Sequence, residues 1–178
     1  MATDLLFELK TLIDQEIPPY PSLHDVTSLL ERFARAVKEG GSEIRREVNE
    51  LEAYETIVKI WTLYCETGEF EVRDLSPEAE QVRLSTLEAL YSITAGYPDL
   101  MDPRGFVMIT QAIDTRVPEH TQMMALRVIR NICTKSEENR DILASFFEMI
   151  PPLVDILRQN SPSSEFIHEV FFPNLTCT

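Results

Sequence analysis

The sequence predicts an all-α protein, a right-handed solenoid of about three helical units, and three observations carry that expectation. Apolar residues recur at helical spacing along most of the 178 residues, strand-like alternation is scarce, and only five glycines interrupt the chain. The stretch from Glu119 to Leu157 reads as one complete unit. An amphipathic helix ends in Ile129-Arg130-Asn131-Ile132-Cys133, a polar turn spans Thr134–Glu138, a short helix spans Asn139–Ser145, and a third, apolar helix opens on Ile150-Pro151-Pro152. The same order then recurs. A constant offset of 96 residues carries Arg35 onto Asn131, Leu30 onto Leu126, and Ile57 and Val58 onto Leu153 and Val154. An offset of 39 carries Ser92 onto Asn131.

A step of 39 residues is close to the ~40–47 of armadillo and HEAT units, so the expected class is an armadillo/HEAT-like α-solenoid within a single domain over 1–178. Residues 1–21 form an N-terminal helix and a proline-rich linker. Leu5, Leu6, Leu9, Leu12 and Ile13 put one apolar stripe on a helix over Thr3–Glu16, and Ile17-Pro18-Pro19-Tyr20-Pro21 stops it. Residues 22–66 form the first unit. Ser22 caps a helix to Lys38, Gly40-Gly41 ends it, a short helix covers Ser42–Asn49, and a longer one covers Glu52–Glu66. Residues 67–76 form an acidic loop. It reads as an insertion that lengthens the step from Arg35 to Ser92 to 57 residues.

Residues 77–163 hold the further units. Ser76-Pro77-Glu78-Ala79 is a helix start, with proline in the first turn and acids at the positive helix end, and that helix runs to Ala95. A turn-rich segment spans Asp99–Gly105, a helix spans Phe106–Ile113, and Val117-Pro118-Glu119 opens the long helix that ends near Lys135. Residues 164–178 are an incomplete repeat. An offset of 45 lays Pro173 on Val128, and a mid-helix proline costs ~3 kcal/mol, so the expected solenoid is truncated there. The surface of Ile150, Leu153, Val154 and Leu157 is then expected to stay partly open or to be covered by Phe166–Phe172. Self-association through that end, or low stability in isolation, is the expectation.

The run LEALYSITAGYPDLMDPRGF, followed by the cysteine-bearing helix and KSEENRDIL, resembles the armadillo repeat-containing protein six family. Members share a leucine-rich helix, a P-D-L-L/M-D turn and a following glycine with an apolar residue. Here those are Pro98, Asp99, Leu100, Met101, Asp102, Gly105 and Phe106. The resemblance covers nearly all of the chain. The chain departs from the family in a longer 67–76 loop and in stopping inside a repeat that the family continues. What the resemblance implies is a multi-repeat solenoid without known catalysis.

Composition narrows the function. Sixteen Lys plus Arg against thirty Asp plus Glu leave a net charge of −14, with no basic stripe of the kind that nucleic-acid binding requires. The acidity reads as a solubility device, and the alternative reading is a preference for basic partner segments. No apolar run approaches the ~20 residues that span a membrane, and Met1–Ile17 lacks the pattern of a secretory signal. Cys65, Cys133 and Cys177 are odd in number and far apart, which points to the reducing cytoplasm or nucleus. Asn174-Leu175-Thr176 is therefore a coincidental glycosylation sequon. His24, His120 and His168 have no second ligand at helical spacing, and no Gly-rich phosphate loop or GxSxG is present. The expectation is a chain without catalytic residues, metal or cofactor.

The candidate site is the concave groove lined by the equivalent long helices. Three rows are expected there: Arg35, Ser92 and Asn131; Glu31, Glu88 and Arg127; and Ala34, Tyr91 and Arg130. Asn131 stands where many armadillo proteins use asparagine to bond an extended peptide backbone. The tryptophan that import receptors place four residues earlier is replaced by Arg127, which disfavours import-signal binding. Trp61 reads as core. The expected partner-binding set is Arg35, Glu88, Tyr91, Ser92, Arg127, Arg130 and Asn131, open to solvent above buried Leu87, Leu90, Leu126, Ile129 and Ile132. The expected function is a scaffold or adaptor that binds a protein segment in this groove. The alternative is a structural subunit that docks through its ends and convex face.

Overall fold

The computed structural model describes residues 1–15, 21–65, 76–113, 117–134 and 136–159. The expectations for the linker at 16–20, for the acidic loop before Ser76 and for the 164–178 segment lie outside these residues. The described residues form helices and connecting turns, with no strand among them, so the all-α class holds. They fall in two compact units, Met1–Ala95 and Gly96–Thr178.

The first unit holds α1 (Ala2–Ile13), α2 (Leu23–Glu50), α3 (Ala53–Tyr64) and α4 (Pro77–Thr94). Ser22 caps α2 as its sequence predicts. Its hydroxyl accepts from the Asp25 amide at 3.1 Å, while the Asp25 carboxylate accepts from the Ser22 hydroxyl and amide, a reciprocal cap. The expected break at Gly40-Gly41 is a kink that divides α2 into two helical segments. Gly41 sits at φ 66°, ψ −151°, a region essentially restricted to glycine. A Cβ on Gly40 would lie 2.4 Å from Ile44 Cγ1, so the preceding glycine is needed for close approach. Gly41→Ala is therefore expected to cost ~1–3 kcal/mol in chemical denaturation. An unchanged midpoint would show that the kink does not depend on this backbone conformation.

The core of this unit draws on all four helices. Leu6 and Leu9 of α1, Leu30 and Phe33 of α2, Ile57 and Ile60 of α3, and Leu87 and Leu90 of α4 are fully buried. Trp61 is also buried, as expected. The most extensive packing joins α2 to α4, and α1 packs on α2 and α3. Lys10 of α1 donates to the Leu51 carbonyl at 2.8 Å, which fixes the chain where Glu52 adopts a left-handed conformation ahead of α3.

The second unit holds a 3-10 turn at Pro98–Leu100, then α5 (Pro103–Ala112), α6 (Glu119–Cys133), α7 (Glu137–Asp141) and α8 (Ile150–Gln159). Two boundaries differ from expectation for local reasons. α5 starts three residues earlier, because the Asp102 carboxylate accepts from the Arg104 and Gly105 amides and Pro103 occupies the first turn. α7 starts at Glu137, because the Ser136 hydroxyl accepts from the Asn139 amide, and it continues as a π-helical turn over Ile142–Phe146. Phe106 and Phe147 pack with ring centroids 5.6 Å apart, and the Thr110 hydroxyl donates to Met149 Sδ at 3.4 Å.

Helix lengths recur along the chain in one order. A long helix is followed by a short segment and then by one of ten or twelve residues. The three long helices are the first segment of α2, α4 with 18 residues and α6 with 15.

Candidate functional site

In the first unit, solvent reaches α4 along one narrow stripe. Gln81, Leu84, Glu88, Tyr91 and Ala95, spaced three or four residues apart, are the positions past the first turn that are not buried. Glu88 and Tyr91 lie on that stripe and are half-buried, and Arg35 of α2 is exposed. Ser92 is a correction. It is one residue off the stripe, which turns it about 100° around the helix. It is 6% exposed, and its hydroxyl donates back to the Ala89 carbonyl at 2.7 Å. Ala34, expected in the same groove, is buried as well. Glu31 accepts from Gln81 Nε2 at 3.0 Å and from the Ser85 hydroxyl at 3.5 Å, one to two turns before Glu88.

In the second unit, α6 is exposed at Glu119 and His120, is buried all round from Thr121 to Leu126 and opens again in its last two turns. Arg127, Arg130 and Asn131 are half-buried there, at the i, i+3, i+4 spacing that shares one helix face. Leu126 and Ile132 are buried beneath them. Ile129 is only half-buried, because it falls where the surrounding packing of α6 has already ended.

The ends of the long helices carry a feature that sequence reasoning missed. The last carbonyls of a helix have no partner within it and collect the negative end of its dipole. On α4, Arg45 Nε donates to the Ser92 carbonyl at 2.7 Å and Asn49 Nδ2 donates to the Ile93 carbonyl at 3.0 Å. On α6, Asn139 Nδ2 donates to the Ile132 carbonyl at 2.8 Å and Arg140 Nη1 donates to the Cys133 carbonyl at 2.8 Å. α4 and α6 are thus each closed by one asparagine amide and one guanidinium from a short helical segment. Asn139 also donates to the Pro98 carbonyl at 2.9 Å, which ties α7 to the 3-10 turn. The donors of α4 precede it in the chain and those of α6 follow it, so no single repeat offset could have found both pairs.

Off its open stripe, α4 buries a charge. Arg83 is 0% exposed and its Nη1 lies 2.9 Å from Glu80 Oε2, while its Nε and Nη2 have no hydrogen-bond partner among the described residues. Cys65 is close enough to feel both charges. Burial pushes its thiol up to about 12, opposed in part by Arg83, and burial pushes the Cys133 thiol up to about 11, opposed by Arg140. Both cysteines are free. Below about pH 9 the Cys65 thiol is neutral in the folded and the unfolded chain. As pH rises from 9 toward 12 the unfolded chain ionises first, so stability falls across that window. The expected result is a denaturation midpoint that drops with alkalinity and drops less in Cys65→Ala. An equal drop in both chains would place the titration elsewhere.

Among the described residues no group of three His, Cys, Asp or Glu side chains could hold a metal ion, and no helix is long and apolar enough to cross a membrane. What the accessible faces offer is a mixture of guanidinium, amide, phenol and carboxylate, suited to bonding polypeptide. Comparison with known proteins finds no family model, no curated protein and no solved structure that matches the chain.

Proposed function

We propose that this chain is a non-catalytic protein-interaction scaffold built of armadillo/HEAT-like helical units, related to the armadillo repeat-containing protein six family. The observation that carries this reading is the threefold recurrence of long, short and intermediate helices, since such units expose equivalent long-helix faces to a partner. The binding residues assigned here are Arg35, Glu88 and Tyr91 in the first unit and Arg127, Arg130 and Asn131 in the second. All six are accessible, and Ser92 is withdrawn from the set. An extended partner segment would replace lost water bonds with bonds to these side chains. The chain's net charge of −14 draws basic segments at long range, while Arg35, Arg127 and Arg130 call for carbonyl or carboxylate acceptors where the segment docks. Buried, reduced Cys65 supports a cytoplasmic or nuclear setting.

The test is affinity capture with the full chain, followed by identification of the partner and recapture with Tyr91→Ala, Arg127→Glu and Asn131→Ala. The partner should be lost with these variants and kept with Glu137→Ala. Retention by all of them would overturn the assigned faces.

A second reading, a subunit docking through its ends, has one observation in its favour. Ile150 at the start of α8 is 57% exposed beside half-buried Leu153 and Val154. It expects concentration-dependent association in light scattering that Ile150→Glu abolishes. A monomer at all concentrations would remove the self-association part of it.

A further inference from the structure

The chain carries a second surface, distinct from the long-helix faces, where α1 meets the start of α2. An open cleft of about 880 Å³ lies there, within the ~300–1,000 Å³ usual for binding clefts. Phe7, Leu12 and Leu29 supply its apolar lining, and Asp4, Glu8 and Asp25 supply carboxylates. Phe7 is the anomaly that draws attention to it. The leucines on the buried face of α1, Leu5, Leu6 and Leu9, are covered, whereas Phe7 is 53% exposed. No lysine or arginine is among the lining residues. Among the described residues the nearby positive charges are the terminal ammonium, 2.7 Å from Asp4, and Arg32, 3.9 Å from Glu8. Asp25 accepts from the Ser22 hydroxyl at 2.6 Å and from the Ser22 amide, bonds that hold its carboxyl below the usual range and so keep it ionised.

We propose that this cleft docks a basic segment of a partner protein, in which one apolar side chain packs on Phe7 and flanking lysines or arginines meet Asp4, Glu8 and Asp25. Charge complementarity selects this occupant. A second copy of the same cleft would set one net-acidic surface against another, since three carboxylates face two cations, the terminal ammonium and Arg32, and that repels. A wholly apolar segment would strip water from three carboxylates and from the exposed cations that face them, without offering a charge or donor in return. A basic segment with an apolar anchor satisfies both parts of the surface.

The test uses the full chain and a fluorescein-labelled peptide in which one leucine stands between two Lys-Arg pairs, read by anisotropy. Phe7→Ser, Glu8→Lys and Asp25→Asn are each expected to weaken its Kd roughly tenfold, about 1.4 kcal/mol. Asp25→Asn keeps an acceptor for the Ser22 cap, so it separates charge from folding. Glu137→Lys, an equal change of charge on α7, should leave the Kd unchanged, as should Tyr91→Ala and Arg127→Glu. The last two let this proposal and the long-helix assignment fail separately. A peptide with serine in place of leucine should bind worse by a similar factor. Equal weakening by Glu137→Lys would reduce the effect to general acidity and overturn the proposal. So would unchanged binding in Phe7→Ser, or no binding of the peptide at all.

Discussion

Replacing Glu80 by glutamine is expected to destabilise the first unit by roughly 3 kcal/mol, because removing one partner of a buried ion pair leaves the other charge uncompensated. Arg83 has no solvent contact, and Glu80 Oε2 at 2.9 Å is the carboxylate that answers it. Two of its three guanidinium nitrogens already lack partners among the described residues, so the pair is held at a cost even in the intact chain. The double replacement Glu80→Gln with Arg83→Met should therefore recover the loss, and swaps of this kind often gain ~1–4 kcal/mol. The expected order of urea midpoints is the single Glu80→Gln variant lowest, then the native chain, then the double variant level with it or above. Native-like stability of Glu80→Gln would mean that the guanidinium is balanced by something other than Glu80. Conversion of this pair to apolar packing should leave Glu88 and Tyr91, the α4 residues proposed to meet a partner, untouched, because they lie on its open stripe.

The second large effect is expected at Asn139. Its one amide nitrogen donates to the Ile132 carbonyl and to the Pro98 carbonyl, so Asn139→Ala strips two acceptors at once. At ~1–3 kcal/mol for each acceptor left unsatisfied, the loss should reach about 2–6 kcal/mol. Asn139→Asp should be worse, since it keeps the shape but sets a carboxylate against two carbonyl oxygens. Asn49→Ala, which strips only the Ile93 carbonyl, should cost about half as much as Asn139→Ala. Hydrogen exchange gives an independent reading. In Asn139→Ala the amides of the last turn of α6 should exchange faster while those of α4 stay protected. Equal, small losses for both asparagines would show that water takes over the caps.

Most of the helices were legible because their signals are local. Ser22 and Ser76 cap the helices their spacing predicts, Gly40-Gly41 breaks α2 where two adjacent glycines should, and Trp61 packs in the core. The boundaries that moved did so through caps outweighed in the sequence by hydrophobic spacing. Asp102 pulled the start of α5 back to Pro103, and Ser136 pulled α7 back to Glu137. The candidate site was legible in part. Arg35, Glu88, Tyr91, Arg127, Arg130 and Asn131 are accessible as their periodicity implies, while Ser92 fails by one helical position.

By itself the sequence determined which residues form helices and roughly where each begins and ends. Apolar spacing, capping residues, glycine and proline act within a few residues of where they stand. Only the tertiary structure decided how much of each helix faces solvent. A helix packed on one side leaves a broad open face, but α4 is covered on nearly all sides, and its open stripe is too narrow for Ser92 to share. The same holds for the caps supplied by Arg45, Asn49, Asn139 and Arg140 and for the buried charge of Arg83. The caps depend on contacts between residues that packing brings together, whereas Glu80 and Arg83 are three apart on α4 and packing decides only how much water is expelled around them. No pattern in the residues of one helix encodes either.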